Sequence, residues 1–390
     1  MQMKRVYLDN SATTRVDDEV VNAMLPCFTE KYGNASSLYT LGREAHEVIE
    51  TARQQVAAAI GAAPAEVIFT SGGTEADNIA IIGTALANKR KGNHIITSAI
   101  EHPAVLETCR HLEKDGFTVT YVPVTPEGVI KVDELAAAIT KETILITTMY
   151  VNNEIGTIQP IAEIGKIAKE KGIKFHTDAV QAMGKVKVDV NDLGVDLLSL
   201  SGHKIHGPKG IGVLYVRKGT PVRSLVYGGG HERGIRSGTE NVPGIVGMGK
   251  ACEIVTRDFD RNVAHMTRLR DKLMDGLMKI EHSRLNGPRG ALRSPNNVNI
   301  SYSFVEGESM VLLLDMAGIE VSTGSACSSK KLEPSHVLLS CGLPAEEAHG
   351  SLRMTNSKYT TEEDIDQVIQ TLPGIVARLR EMSPLYKRPV

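Results

Sequence analysis

LLSLSGHKIHGPKGIGVLYV, residues 197–216, is two apolar runs joined by a turn rich in glycine and proline. The first run ends in Ser201, Gly202, His203 and Lys204, small and polar residues at a strand end. In open α/β sheets ligands bind beyond the carboxyl ends of the strands, so a polar cluster in that position marks a working edge. The upstream sequence repeats the pattern. Strand-like runs fall at 67–69, 94–97, 118–122, 144–149, 173–176 and 196–200, with helix-like segments at 75–88, 104–114 and 161–171. This alternation predicts an α/β fold with a mainly parallel sheet covered by helices on both faces. After Pro243 the rhythm changes: a helical stretch runs through 268–279, and shorter strands and helices follow from 297. The expected division is a large domain at 16–258 and a smaller α+β domain made of 1–15 and 259–390.

A chain of 390 residues has room for two cores, and 42% hydrophobic residues with 36 glycines suit an α/β enzyme with many tight turns. A formal net charge of −2 gives no bulk electrostatic reason to bind nucleic acid. No run approaches the ~18 apolar residues that cross a bilayer. MQMKRVYLDNSATT (1–14) has no apolar signal core and no small-residue cleavage site. A cytoplasmic chain with no membrane and no direct nucleic-acid partner is expected.

The five cysteines, Cys27, Cys109, Cys252, Cys327 and Cys341, form no CxxC pair and are odd in number. That argues against a disulfide framework and against a cysteine-rich zinc site. Cys327 differs from the rest. It lies in EVSTGSACSSKKLEPS (320–335), among Ser, Gly and Ala, with Lys330 and Lys331 nearby to favour the thiolate. This composition predicts an exposed loop and a nucleophilic thiol.

Other strand ends also carry chemistry. In FTSGGTEADNIAI (69–81), Gly72 and Gly73 let backbone approach a ligand, and Thr74 sits at a helix start suited to a phosphate. An ordinary glycine turn with a Thr cap is the alternative. In KFHTDAVQ (174–181), Asp178 can pair with a protonated pyridine nitrogen and Gln181 can reach a phenolate on the same ring; Asp178 as a helix cap is the plainer reading. Lys204, downstream of Asp178, is placed to form a Schiff base, with Ser201 and His203 as phosphate donors. His102 in SAIEHPAV (98–105) can stack on a ring and move protons, or cap a helix. Asn153 in MYVNNEIG (149–156) has the same strand-end position. Arg353 in GSLRMT (350–355) can hold an amino-acid carboxylate with two parallel N–H bonds, or form a surface ion pair.

These segments, with YLDNSATT (7–14), GGGHERGIRSGTENV (228–242), VEGES (305–309), GSACSS (324–329) and LEPSHVL (332–338), make the chain resemble a cysteine desulfurase of the NifS/IscS type. The likeness runs over nearly the whole length. It implies the pyridoxal-phosphate (PLP) transferase fold of the aspartate-aminotransferase type, with a seven-stranded sheet. Lys204 then matches the lysine that carries PLP, Asp178 and Gln181 the ring contacts, and His102 the stacking acid/base. Gly73, Thr74, Ser201 and His203 match phosphate contacts. Thr239 matches a phosphate contact supplied by a neighbouring subunit, which implies a homodimer. Asn34, Asn153 and Arg353 match groups near the substrate L-cysteine, and Cys327 matches the cysteine that receives sulfur as a persulfide. GSACSS resembles the long-loop subgroup that supplies sulfur for iron–sulfur cluster assembly. An iron–sulfur scaffold protein and other sulfur acceptors are therefore expected partners. Cys327 as a metal ligand, sharing a transient [2Fe-2S] cluster with a scaffold, is a further expectation. A selenocysteine lyase or other PLP-dependent lyase on the same fold is the alternative. Two departures bear on scaffold docking and not on the chemistry. MTNSKYTT (354–361) replaces an arginine-flanked run of many relatives, and SPLYKRPV (383–390) is shorter than the tail of the IscS kind.

Overall fold

The structure is a computed structural model that describes residues 5–324 and 334–386. Cys327 lies outside the described residues. The strands in chain order are β1 (Val6–Tyr7), β2 (Val67–Thr70), β3 (His94–Ser98), β4 (Thr118–Val122), β5 (Thr143–Met149), β6 (Lys174–Asp178), β7 (Leu197–Ser201), β8 (Gly212–Val216), β9 (Ser283–Leu285), β10 (Asn297–Tyr302), β11 (Ile319–Glu320) and β12 (Ser351–Thr355). A seven-stranded sheet has the order β2-β8-β7-β6-β5-β3-β4.

Only β8 runs against the others in this sheet, antiparallel to both β2 and β7. Its direction follows from its connection, because residues 202–211 are too few to form a crossover helix between parallel strands. Strands β3, β5, β7 and β8 are buried along their whole length, and β6 is buried after Lys174, as a sheet covered on both faces requires. The expected helix at 75–88 is observed as continuous helical turns from Gly73 to Asn88, with a wider π turn at Ile79–Gly83. Helices Pro103–Lys114 and Ile161–Lys171 fall where the apolar spacing puts them.

A second core lies apart from the large sheet. It joins Val6 and Leu8 to Leu269 and Leu273 of helix Phe259–Leu277, Ile300 of β10, Leu352 of β12, and Val368 and Leu372 of helix Glu362–Met382. The three-stranded sheet β12-β10-β9 and the parallel pair β1-β11 belong to this part. The chain after β1 crosses from one part to the other: Asn10 Nδ2 donates to Thr355 O at 2.7 Å, and Thr14 N donates to His203 O at 2.9 Å.

Candidate active site

Six strands of the large sheet share one direction, so their carboxyl ends lie along one edge, and the start of β8 lies there too. Gly73 and Thr74 follow β2, His102 follows β3, Asn153 follows β5, Asp178 ends β6, and Lys204 follows β7. Gly212 begins β8 opposite this turn, and a Cβ there would meet Gly72 C at 2.5 Å, so the two backbones can cross only at glycine.

Lys204 Nζ donates to Ser11 O at 2.5 Å and to Ala12 O at 2.6 Å. These acceptors are backbone carbonyls of the 9–14 segment, which links the two cores. His203 Nδ1 lies 3.1 Å from Thr13 Oγ1 of the same segment. Gln181 Nε2 donates to Ser11 O at 3.0 Å, so Gln181 and Lys204 share one carbonyl.

Three carboxyl groups are buried at the same sheet edge. Asp178 is pushed up to about 6 by burial, opposed by the Val180 N–H, which donates to Oδ1 at 2.9 Å, and by the charge of Lys204. The segment after Asp178 is a turn, so the carboxylate caps a turn and not a helix. Asp77 is raised well above the usual range by burial and then by Asp178. Asp178 is the member with a cation and a backbone N–H to favour its ionised form, whereas burial biases Asp77 toward its neutral form against a hydrogen bond from Ser199. Burial pushes Glu101 up to about 8, even though Ser98 Oγ donates to Oε1 at 2.5 Å. Asp77 Oδ1 and Glu101 Oε2 have no hydrogen-bond partner among the described residues.

This burial has a pH consequence. Because the folded value of Glu101 is raised, its contribution to stability is full below about 4.5 and is lost as pH rises to about 8. Glu101→Gln has no charge to bury. Its thermal midpoint should gain on the wild type by several degrees across that window, at about 2–4 °C for each kcal/mol. Melting curves at several pH values check this, and a gap that narrows with rising pH would contradict it.

His102 caps helix Pro103–Lys114: its Nδ1 accepts from Ala104 N at 3.1 Å. The capping reading is therefore correct, and it also fixes the tautomer, leaving Nε2 to carry the proton. Burial, Lys204 and His336 together pull His102 down to about 4. The imidazole is neutral at ordinary pH. A cavity of about 390 Å³ is lined by both His102 and Thr74. An added Cβ on Gly73 would lie 3.6 Å from Ser201 Cβ, which brings these two phosphate candidates together. Thr239 is elsewhere: it lines a separate cavity with Thr70, Ser71 and Arg236.

Arg353 is buried. Its Nη2 donates to Asp9 Oδ1 at 2.8 Å and its Nη1 to Asn153 O at 3.3 Å, and its Nε has no partner among the described residues. This excludes the surface ion pair. Asn34 is not drawn in: it lies on an exposed stretch, where its Oδ1 accepts from Ser36 N at 2.9 Å.

Sequence reasoning missed five participants: Asp9, the Ser11 and Ala12 carbonyls, Lys185 and Glu154. Glu154 is pushed up to about 7 by burial, against the pull of Ser335 and Arg353. Its Oε2 accepts from Ser335 Oγ at 2.5 Å, and a Cβ on Gly324 would meet Oε2 at 2.6 Å. One carboxyl thus touches residues on both sides of 325–333. The four described cysteines are free and buried, and burial raises Cys109, Cys252 and Cys341 to about 12. None of these three is a thiolate at neutral pH.

A strand-end lysine, a buried carboxyl and a neutral histidine on the carboxyl edge of such a sheet define a class of PLP-dependent transferases. The family profile described as Aminotransferase class-V matches residues 6–368. Among curated relatives, "Cysteine desulfurase IscS" of Methanosarcina thermophila is 56% identical over 382 residues, covering 98% of this chain and 94% of that protein. The solved "NifS-like protein" superposes with a TM-score of 0.91 at 42% identity, covering 96% of this chain and 100% of that one. A second structure, "SspA in complex with cysteine", has a TM-score of 0.81 at 36% identity, covering 92% and 100%. The chain belongs to the class-V aminotransferase family and, within it, to the cysteine desulfurases.

Proposed function

We propose that this chain transfers sulfur from L-cysteine to Cys327, leaving L-alanine and a Cys327 persulfide for acceptors, chiefly in iron–sulfur cluster assembly. One observation supports this most. Lys204 and Arg353, from the two parts of the molecule, both bond to the short stretch Asp9–Ala12. An amine-handling group and a carboxylate-binding group are therefore both anchored on one four-residue stretch. A solved relative bound to cysteine supports the same substrate.

The residues present fit PLP: a strand-end lysine, a buried acid raised to about 6, and a Gly73–Ser201 approach with little side-chain bulk. Lys204 would hold the cofactor covalently, Asp178 its ring nitrogen and Gln181 its phenolate oxygen. His102 would lie against the ring beside Asn153. Gly73, Thr74, Ser201 and His203 would hold the phosphate. Bound there, PLP supplies an aldehyde for the substrate amine and an electron sink for bond breaking at Cα and Cβ.

Arg353 holds the substrate carboxylate through its guanidinium fork. Lys204 Nζ moves the proton at the substrate Cα. His102 Nε2 is the second group able to carry a proton. The Cys327 thiolate attacks the substrate sulfur, the carbon–sulfur bond breaks, and the proton from the thiol is retained in alanine. The sum is cysteine plus thiol giving alanine plus persulfide, with no outside oxidant.

The finer parts of the proposal are these. The division into 16–258 and 1–15 with 259–390 holds the substrate between the two parts, and Asn34 joins the substrate side. Thr239 serves the phosphate of a second copy, so the active unit is a homodimer; an active monomer at assay concentration would contradict this. The chain works in the cytoplasm, where its four described free thiols stay reduced. Cys327 shares a transient [2Fe-2S] cluster with a scaffold protein during transfer.

The test is to incubate the holoenzyme with sulfur-labelled L-cysteine. Alanine should form, and one label per chain should be found on Cys327. Label on any of the other four cysteines, or alanine formed with no label bound, would overturn the reading.

A further inference from the structure

Lys185 is a buried lysine to which the chemistry above gives no task. It follows Gly184, whose positive φ of 74° turns the chain back beneath Gln181. Lys185 Nζ donates to Gln181 Oε1 at 3.0 Å. No carboxylate lies within ion-pair distance of Lys185 among the described residues. Burying an ammonium with one neutral partner is costly, and structures keep such groups where the charge has a use.

The hydrogen bonds form a line. Lys185 donates to Gln181, Gln181 Nε2 donates to Ser11 O, and Lys204 Nζ donates to the same Ser11 O. An ammonium has donors only, so it accepts only the carbonyl end of the Gln181 amide and forces Nε2 to face the opposite way. We propose that Lys185 is a positioning residue for the cofactor site: it locks the Gln181 amide with its N–H group toward Ser11 O and Lys204, and in its protonated form it places positive charge beside Lys204. This rests on the PLP reading above.

Lys185 and Lys204 line one cavity of about 30 Å³ between the two cores, with His206 and Lys358. The titratable groups that face Lys185 are thus Lys204, His203 and His206 from the turn after β7, and Lys358 across the cavity, itself paired with Asp17. The histidines are held near 4 by burial and are neutral. Burial, and then the charge of Lys204, pulls Lys185 down to about 7. Mutual repulsion works in both directions, so Lys185 in turn disfavours a second positive charge at Lys204.

The experiment is a pH titration of the visible absorbance band of the holoenzyme, with thermal melts of the same proteins. Lys185→Met removes both donor and charge. Its titration midpoint should move up by about 1 pH unit. Lys185→Arg keeps the donor and is charged at every pH, so its midpoint should lie at or below that of the wild type. The melting temperature of Lys185→Met should hold or rise, because an unpaired buried charge has been replaced by an apolar chain of similar length. A wild-type midpoint in Lys185→Met would overturn the proposal, as would a downward shift. If Lys185→Met does not fold, Lys185→Gln decides: it keeps a donor and removes the charge, so the upward shift is expected, and an unmoved midpoint overturns the charge role. Failure of the PLP reading is separate, because the wild-type protein would then show no visible band.

Discussion

Lys204→Ala should abolish alanine formation from L-cysteine, by about 10²–10⁴-fold at the least, since a positioned acid/base alone contributes that much. The larger part of the loss comes from the covalent link to the cofactor, and no other amine can replace it. Lys185 lines the same cavity as Lys204, and its Nζ is committed to Gln181. The fold should survive. Ser11 O keeps its bond from Gln181 Nε2, so mainly the Ala12 carbonyl loses a partner, at about 1 kcal/mol. Three measurements separate these effects. The alanine assay should read near zero, the visible band of the attached cofactor should be lost, and the melting temperature should change by only a few degrees. Full activity in Lys204→Ala would remove the lysine from the chemistry.

Cys327→Ser should divide the reaction in two. Lys204, Arg353 and Asp178 are unchanged, so L-cysteine should still bind and perturb the cofactor spectrum. Sulfur transfer should fall by orders of magnitude, because a serine hydroxyl ionises far above neutral pH and is a poor nucleophile toward sulfur. The other cysteines provide the control. Cys252 and Cys341 are buried, with thiols raised to about 12, so replacing them with alanine should cost packing energy and little else. Mass spectrometry after reaction with labelled cysteine reads both halves. Near-normal alanine production by Cys327→Ser, or stable label on Cys341, would defeat the persulfide role.

The reading of individual residues divided along a physical line. Asp178, His102 and Lys204 were legible because each follows an apolar run with strand spacing, and the side that such runs present at their ends is where ligands bind. The structure places all three on that edge. His102 is a helix cap through Nδ1, which leaves Nε2 for the proposed role at the site. Arg353 was legible as a guanidinium suited to a carboxylate, and the structure pairs it with one of the chain's own. That partner was not legible, since Asp9 is 344 positions away in the chain. The Ser11 and Ala12 acceptors were invisible for another reason: a backbone carbonyl is present at every residue and leaves no mark in the sequence.

By itself, the sequence determined the α/β class, the strands and helices of the large sheet, and the residue types at its working edge. Those follow from local periodicity, which one strand or helix is enough to express. The tertiary structure alone decided that the 9–14 segment joins Lys204 to Arg353 and that Lys185 lies beneath Gln181 without a counter-ion among the described residues. It also placed Asp77 and Glu101 with Asp178, where burial raises all three and the charge of Lys204 favours ionisation of Asp178. Each of these depends on desolvation and on contacts between distant segments. Burial sets the cost of a charge, and burial exists only once the chain has folded around it.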